Sequence, residues 1–460
     1  MDSMYENQNI RLERFEIIGL NGDKDVSLTF DNNIRILLGE NGTGKTTILT
    51  TLYYILSRKF YQLNNIEFSE IHLHLSSNEV ITLEKEWLSL SLNAEANRYY
   101  KHLENYLNEE ELHEALNIVY GKGSLQNFRN QYYDKIKSKG IPFAHINRLI
   151  MHLRRTIEEN NSYKYNEKIY NVDRKIKDIF NQKILYFPTY RRIEEELEKL
   201  GLNLHENLSN EFGIINFGMD DVQNIFNKIK NDIKEESLKS YSKVTGDMIK
   251  HLIYPEEQSS HEIEKDVLKN SEILKIVLDR FGNDLDIADK EYISNLIVTD
   301  KIFRKEYNSL LFYLNNLINN YMKHKKRDDS IKEFAKICNK YLVDKEVIFN
   351  ESNGELFIQT IKKRRKVELS QLSSGEKQIV SILSRVFLDF NNNFIILFDE
   401  PELSLSIEWQ EMLLPDIINS GKCSFLFAVT HSPFIFDNQL DKYAMGINMF
   451  VKERLQNYGE

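Results

Sequence analysis

The sequence has few cysteines, and this scarcity excludes a large class of small secreted folds. Cys338 and Cys423 are the only two in 460 residues, too few for a disulfide framework, and no cysteine or histidine spacing fits a zinc site. No apolar stretch reaches the roughly 20 residues of a membrane-spanning helix, and residues 1–8 lack the apolar core of a signal peptide. The sequence therefore predicts a cytoplasmic protein in a reducing environment.

Positive charge is also in deficit. The chain has 60 lysines and arginines against 70 aspartates and glutamates, which gives a formal net charge of −10. Such a balance argues against non-specific coating of nucleic acid, because the phosphate backbone repels an acidic protein. Any contact with DNA must therefore come from a local basic patch or from a partner.

The first informative motif is a glycine-rich loop. Residues 39–47 fit the pattern Gly-x-x-x-x-Gly-Lys-Ser/Thr, follow the apolar run 34–38 and precede apolar residues at helical spacing. In this context backbone N–H groups and a helix N-terminus converge on phosphate oxygens. The loop therefore predicts ATP and Mg²⁺ binding, with Lys45 on the β- and γ-phosphates and Thr46 on the metal. The predicted ATP-binding residues here are Gly39, Asn41, Gly42, Gly44, Lys45, Thr46 and Thr47.

A second motif follows an unbroken apolar run. Residues 394–398 are apolar at every position, as in a strand buried on both faces, and Asp399 and Glu400 come directly after them. Because α/β sheets bind ligands at the carboxyl ends of their strands, we assign Asp399 to the Mg²⁺ shell and Glu400 to the attacking water. His431 comes shortly after another predicted buried strand, 424–427, and is predicted to contact the γ-phosphate.

A long helical stretch separates the two motifs. Residues 91–350 are charged and periodic in Leu, Ile, Phe and Tyr without sustained heptads, so they predict an inserted helical lobe rather than a coiled-coil arm. Within this stretch, segment 184–192 is expected to return to the main sheet as a strand. The predicted fold is α/β, with a mixed sheet, an antiparallel β subdomain and a nucleotide-binding head formed by residues 1–90 and 351–460.

Residues 372–378, Leu-Ser-Ser-Gly-Glu-Lys-Gln, resemble the signature loop of ABC-type ATPases in the form found in SMC and RecF heads. They differ in having Ser374 where the first glycine usually stands. The resemblance implies an ABC-type P-loop NTPase head that forms a head-to-tail homodimer. In such a dimer Ser373, Ser374 and Gly375 of one subunit cap the ATP of the other. The same residues also fit a serine N-cap that begins an amphipathic helix.

Two further segments narrow the resemblance. Residues 399–410 are similar to the block Asp-Glu-Pro-Glu-x-Ser-Leu-His-x-x-Trp-Gln of the OLD-like branch (AAA_21), with Ser406 in place of histidine. This similarity makes Leu403 and Ser404 part of the D-loop, which crosses the dimer. Residues 187–192 resemble a Pro-Thr-Tyr-Arg-Arg element of bacterial defence ATPases, most closely the ATPase subunits of the Septu anti-phage system.

The resemblance implies an ATPase that regulates a separate nuclease, of the HNH type, through ATP-dependent dimerisation. OLD-type proteins carry a Toprim nuclease domain after the histidine, and residues 432–460 are too few for one, so nuclease chemistry is expected on another polypeptide. His72 and His74 share one face of a predicted strand, but no neighbouring carboxylate or cysteine turns them into a nuclease metal site. They therefore predict a surface pair rather than a metal site.

Two other functions fit the same motifs. A DNA-repair or chromosome-maintenance ATPase of the RecF or SMC kind would act on DNA without a dedicated nuclease. A non-hydrolysing nucleotide sensor would use ATP only to hold a complex together. The substitution Glu400→Gln distinguishes these functions. A hydrolysis-driven ATPase loses its function, because it depends on the attacking water, whereas a nucleotide sensor keeps its ATP-bound behaviour.

Some functional positions cannot be fixed from the sequence. Gln182 and Gln223 are both candidates for the glutamine that senses Mg²⁺ in ABC-type proteins. The basic runs 323–327 and 362–366 could bind a phosphodiester backbone, although such runs are also typical of solvated faces. The candidate contacts to nucleic acid or a partner are Arg191, Arg192, Lys363, Arg364 and Arg365.

Overall fold

The chain packs as two units in a computed structural model. The first unit joins Met1–Asn216 to Asn392–Glu460, and the second is Phe217–Asn391. Both ends of the chain therefore belong to one unit. The residues whose structure is described are 11–88, 94–119, 124–159, 163–189, 219–254, 271–280, 285–390 and 392–454.

The regular elements follow the apolar patterning of the sequence, because each strand or helix needs one face to bury. In chain order the strands are β1 (Leu12–Leu20), β2 (Lys24–Thr29), β3 (Ile34–Leu38), β4 (Glu70–Leu75), β5 (Val80–Glu84), β6 (Lys183–Phe187), β7 (Lys345–Asn350), β8 (Glu355–Thr360), β9 (Lys366–Val367), β10 (Phe394–Asp399), β11 (Cys423–Thr430), β12 (Ala444–Gly446) and β13 (Val451–Glu453). The α-helices are α1 (Lys45–Leu56), α2 (Lys85–Leu88), α3 (Ala94–Tyr106), α4 (Glu109–Val119), α5 (Leu125–Ser138), α6 (Phe143–Glu159), α7 (Tyr163–Ile179), α8 (Met219–Ile253), α9 (Ser271–Asp279), α10 (Ile287–Val298), α11 (Asn308–Tyr341), α12 (Ser374–Phe387) and α13 (Ile407–Asn419).

The first unit contains a parallel sheet with the strand order β12-β3-β11-β10-β6. β10 lies inside this sheet, so Phe398 pairs with Ala428 on one side and with Phe187 on the other. Every residue of β10 is buried, which explains its unbroken apolar run. The strands predicted before the glycine loop and before the acidic pair are confirmed, as is the return strand β6. Residues 190–192 of that predicted segment lie outside the described residues.

An antiparallel sheet with the order β13-β2-β1-β4-β5 completes the head part of the same unit. In β4, Ile71, Leu73 and Leu75 are buried, whereas His72 and His74 point to the opposite face. The buried face joins one hydrophobic core that also includes side chains of α1 and of the parallel sheet. β4 and β5 pair in antiparallel fashion and form a hairpin.

The helices α3 to α6 form a separate apolar cluster within the first unit. Residues such as Leu103, Ile136 and Ile150 are fully buried there, because the helices present apolar residues along one face. α7 then leads back to the parallel sheet and packs against α2 and β5. The predicted helical character of this stretch is confirmed where the structure describes it.

The second unit combines long helices with a three-stranded antiparallel sheet of order β7-β8-β9. α8 has 35 residues and α11 has 34, and the two pack against each other. α12, which begins in the signature segment, packs against both of them. This unit extends past residue 350, where the sequence analysis ended the insertion. None of the described helices in the chain is long and apolar enough to cross a membrane.

Candidate active site

The glycine-rich loop connects β3 to α1 and has open space in front of its backbone. Gly42 and Gly44 have φ values of +80° and +93°, a left-handed conformation that strains other residues. A Cβ atom placed on either glycine would meet nothing within 4 Å. Because α1 begins at Lys45, its unpaired N–H groups also point to this space. The loop therefore has the geometry of a phosphate cradle.

Lys45 lies inside the cradle and is 5% exposed. Its Nζ donates hydrogen bonds to the carbonyl oxygens of Gly39 and Glu40, at 2.7 and 2.8 Å. Burial lowers the pKa of Lys45, and the negative charges of Glu400 and two nearby carboxylates offset part of this effect. The ammonium group is therefore held where a phosphate oxygen could replace a loop carbonyl as its partner.

Thr46 and Asp399 connect the loop to the end of β10. Thr46 Oγ1 donates a hydrogen bond to Asp399 Oδ1 at 3.0 Å, and Asp399 is 2% exposed. Hydroxyl and carboxylate oxygens are the ligand types that Mg²⁺ prefers. The pair therefore fits the ion that accompanies ATP, in the positions that the sequence assigned to it.

Glu400 and His431 meet at the ends of adjacent parallel strands. His431 Nε2 lies 3.0 Å from Glu400 Oε1 and 3.2 Å from Lys45 Nζ. Glu400 has φ +54°, and its N–H still donates to Val429 O at 2.9 Å, which extends the pairing of β10 with β11 by one residue. At Glu400 the backbone thus turns out of the strand, and the Glu400 carboxylate is directed to the ring of His431.

Glu402 is a functional residue to which the sequence analysis gave no role. Its Oε1 accepts hydrogen bonds from the backbone N–H groups of His431 and Ser432, at 2.7 and 3.2 Å. The carboxylate therefore fixes the loop that carries His431. The repeated acid in residues 399–402, Asp-Glu-Pro-Glu, was the available signal, but only the fold shows what the second glutamate touches.

The chain matches the AAA ATPase domain family (AAA_15) over residues 11–436. It belongs to this family. Membership indicates an ATP-binding and ATP-hydrolysing role, which agrees with the P-loop, the parallel sheet and the acidic strand end described above. Among curated proteins, no similar sequence is found.

The predicted D-loop segment is a tight turn between β10 and α13. The N–H of Leu403 donates to Glu400 O, and Ser404 has φ +63°. Leu403 and Ser404 are exposed, whereas Leu405 is buried and anchors the turn. Ser406 caps α13 by accepting a hydrogen bond from the Trp409 N–H at 3.4 Å. The two predicted D-loop residues are therefore available for contact with another molecule.

The signature segment lies in the second unit of the ATPase. Ser373 is the N-cap of α12: its Oγ accepts from the Glu376 N–H at 3.3 Å, and its own N–H donates to Glu376 Oε2 at 2.8 Å. This reciprocal capping box confirms the predicted serine cap. Ser373 and Ser374 are exposed, and Gly375 is buried. An exposed helix N-terminus suits an anion, but its role towards ATP stays a prediction.

Of the two candidate glutamines, Gln182 lies at the opposite end of the parallel sheet from the catalytic residues. Gln182 precedes β6, and β6 is parallel to β10, so Gln182 lies at the amino end of the sheet, opposite Asp399. Gln223 lies on α8 in the second unit and donates to Asn227 Oδ1 at 3.2 Å. The structure therefore does not bring Gln182 to the site.

The basic residues fall into three groups. Arg191 and Arg192 lie outside the described residues. Lys363, Arg364 and Arg365 form the exposed turn between β8 and β9. In the run 323–327 on α11, Arg327 forms ion pairs with Glu236 and Asp328, and His324 Nδ1 lies 3.3 Å from Glu236 Oε2. That run is therefore partly neutralised by the ATPase itself.

The histidines His72 and His74 both lie beside acidic side chains. Each histidine has a neighbouring carboxylate: His74 Nε2 lies 2.6 Å from Glu16 Oε2, and His72 Nε2 lies 3.2 Å from Oε2 of Glu70, two residues before it in the sequence. The strand β1 brings Glu16 beside β4 from a distant part of the chain. Nevertheless, within the described residues no group of three or more His, Cys, Asp or Glu side chains is arranged to hold a metal ion.

Proposed function

We propose that this chain is the ATP-hydrolysing subunit of an anti-phage defence complex and controls a separate nuclease by dimerising head to tail. One observation carries the catalytic part. Lys45, Glu400 and His431 converge, with His431 Nε2 3.2 Å from the lysine and 3.0 Å from the glutamate. They do so at the carboxyl ends of parallel strands, where α/β sheets bind their ligands.

The proposed catalytic roles follow from these contacts. Lys45 exchanges a loop carbonyl for oxygens of the β- and γ-phosphates. Thr46 and Asp399 would hold the Mg²⁺ of Mg·ATP, and the bound ion would neutralise phosphate charge. Glu400 accepts a proton from the water that attacks the γ-phosphate, and His431, hydrogen bonded to Glu400, contacts that phosphate.

Two exposed segments support a head-to-tail homodimer. Ser373 and Ser374 present the N-terminus of α12 to the surroundings, and this end attracts anions. Leu403 and Ser404 of the D-loop are also exposed. In the proposed dimer the serines of one protomer cap the ATP in the partner's glycine loop, so neither copy alone has a complete site.

The proposed nuclease partner rests on resemblance. Segment 187–192 is similar to an element of defence ATPases that act with HNH nucleases, and the structure describes it only to residue 189. The described residues contain no cluster suited to a nuclease metal. Closing and opening of the dimer would then release or restrain a nuclease on another polypeptide, and the main contact with DNA would be indirect, through that nuclease.

The variant Glu400→Gln tests the dimer. We expect hydrolysis to fall by about a hundredfold or more while ATP still binds, because the amide preserves the shape but cannot take the proton. Light scattering should then give twice the monomer mass with Mg·ATP and the monomer mass without it. Ser373→Arg in the same background should restore the monomer mass. A Glu400→Gln protein that stays monomeric at saturating Mg·ATP would contradict the proposal.

The same variant tests the partner. The tagged chain is co-expressed with the product of the neighbouring gene and purified with and without ATP. The molecular mass of the complex is then measured. We expect a stable complex whose nuclease activity differs between the hydrolysing protein and Glu400→Gln. If the nuclease activity changes neither with ATP nor with the Glu400→Gln substitution, the proposed control is excluded.

A further inference from the structure

A lysine outside all the nucleotide motifs contacts the signature loop. Lys345, the first residue of β7, places its Nζ 2.8 Å from Glu376 Oε1 and 3.1 Å from Glu376 Oε2. Glu376 is the acid of the signature segment and is 5% exposed. Both carboxylate oxygens are therefore bound by one ammonium group, 31 residues away along the chain.

Glu376 is also the residue that shapes the loop. Its Oε2 accepts the Ser373 N–H at 2.8 Å, and its own N–H donates to Ser373 Oγ at 3.3 Å. Burial acts to raise the pKa of Glu376, but the hydrogen bonds from Lys345 and Ser373 outweigh it, so this pKa is lowered. A charged, buried carboxylate thus lies one turn behind the exposed serines.

Lys345 is itself held firmly. Asp344, the residue before it, has φ +57°, and its carbonyl accepts the Ile361 N–H at 3.0 Å. Two residues later, the backbone of Val347 is bound at both N and O by the side chain of Asn339 on α11, at 2.6 and 3.1 Å. The ammonium group is therefore carried by a strand that is fixed to α11 and to β8.

This arrangement has an electrostatic consequence. ATP carries several negative charges, and a helix N-terminus attracts anions. A negatively charged carboxylate close to that N-terminus weakens the attraction. With Lys345 in place, the carboxylate keeps its hydrogen bonds to the loop while its charge is neutralised. Without it, a buried charge would be left uncompensated.

We propose that Lys345 is a positioning residue for ATP-dependent dimerisation. It holds the Glu376 carboxylate that fixes the signature loop, and it neutralises the charge of this carboxylate, which would otherwise oppose binding of the partner's triphosphate. Lys345 does not touch the nucleotide. This inference rests on the proposed function, because it assumes that the signature loop receives ATP from a second copy.

The first measurement uses the Glu400→Gln background. We measure the ATP concentration that gives half-maximal dimer by light scattering. Lys345→Met should raise it about tenfold or more, since a hydrogen-bonded charge pair is lost, and Lys345→Arg should recover most of the loss. Lys332→Met is the matched control, because Lys332 pairs with Glu351 at 2.8 Å in the same unit, and it should change nothing.

A second variant pair identifies the route. If Lys345 acts through the charge of Glu376, Lys345→Met should have little effect once Glu376→Gln has removed that charge. With Glu400 restored, Lys345→Met should raise the ATP concentration for half-maximal rate and leave the saturated rate within about threefold of the parent. Thermal unfolding is recorded for each variant. If Lys345→Met does not fold, the same comparison is made with Lys345→Gln, whose side chain has a donor but no charge.

The outcomes separate this inference from the proposed function. Failure of the Glu400→Gln parent to dimerise overturns the proposed function and the inference with it. A parent that dimerises while Lys345→Met has no effect overturns the inference alone. An equal loss in the presence and absence of Glu376→Gln also overturns it, because Lys345 would then act on the nucleotide or on the fold directly.

Discussion

Three acids within residues 399–402 take different roles because they meet different partners. Asp399 accepts a hydroxyl hydrogen bond from Thr46 at the buried strand end. Glu400 turns out of the strand with positive φ and reaches the ring of His431. Glu402 accepts two backbone N–H groups of the histidine loop. The chemistry of each carboxylate is therefore decided by its hydrogen bonds rather than by its residue type.

Glu402→Ala should slow hydrolysis without abolishing ATP binding. The substitution leaves two backbone N–H groups without their acceptor and frees the loop that positions His431. We expect kcat to fall by about tenfold to a hundredfold, because a catalytic group is displaced, with the KM for ATP within a few-fold of the parent. Steady-state hydrolysis measures both.

Glu402→Gln provides the control, since the amide oxygen can still accept both N–H groups. Its kcat should stay near that of the parent. A large loss in Glu402→Gln would show that the negative charge matters, and unchanged kcat in Glu402→Ala would show that the histidine loop needs no such anchor.

The sequence predicted the residues whose spacing is local. Lys45 and Thr46 belong to one short loop, and Asp399 and Glu400 end one apolar run, so their arrangement follows from neighbouring residues. Lys345 could not be found in this way, because its partner Glu376 is brought to it by the packing of α11, β7 and α12. Contacts between distant segments leave no periodic pattern in the sequence.

At the scale of elements, β3 carries a buried arginine between apolar neighbours. Arg35 is 0% exposed and donates through Nε to Thr29 O at 2.6 Å and through Nη1 to Tyr443 O at 3.3 Å. Its Nη2 binds Asp31 Oδ2 at 2.7 Å. One side chain thus connects the end of β2, the turn before β3 and the segment before β12. Since β3 leads into the glycine loop, Arg35 supports the strand that positions it.

Arg35→Met should destabilise the first unit by about 3 kcal/mol, because buried carbonyl groups lose their donors. Tryptophan fluorescence during urea unfolding can measure this loss. Both tryptophans, Trp87 and Trp409, belong to the first unit, so the signal follows that unit alone. Arg14→Met is the matched control, and its exposed ion pair with Glu16 should contribute less than about 1 kcal/mol. Equal effects of the two substitutions would contradict the role of Arg35.

Element length decided which elements could be predicted. The strand before the acidic pair and the helices of the middle region carry enough apolar residues to show a period. β12 and β13 have three residues each, too few for any alternation, and they were missed. β12 is nevertheless an edge of the parallel sheet, because it pairs with β3 after the chain has passed the histidine loop.

At the scale of the whole molecule, the formal net charge of −10 restricts where DNA could bind. The turn 361–365 is exposed and ordered: Arg364 has φ +48°, and the Thr360 N–H donates to Arg365 O at 2.9 Å. Its cations are therefore presented together. The run 323–327 on α11 is a poorer candidate for DNA binding, because its Arg327 forms ion pairs with Glu236 and Asp328.

Replacing Lys363, Arg364 and Arg365 with alanine should therefore abolish most binding of duplex DNA. In a titration repeated at several salt concentrations, the slope of log affinity against log salt should fall by about 2 to 3, because each lost phosphate contact removes a counterion released on binding. Replacing Lys323, Lys325 and Lys326 with alanine is the control, since both variants change the formal net charge from −10 to −13. If both variants lose affinity equally, the binding follows net charge, and the turn between β8 and β9 has no special part in it.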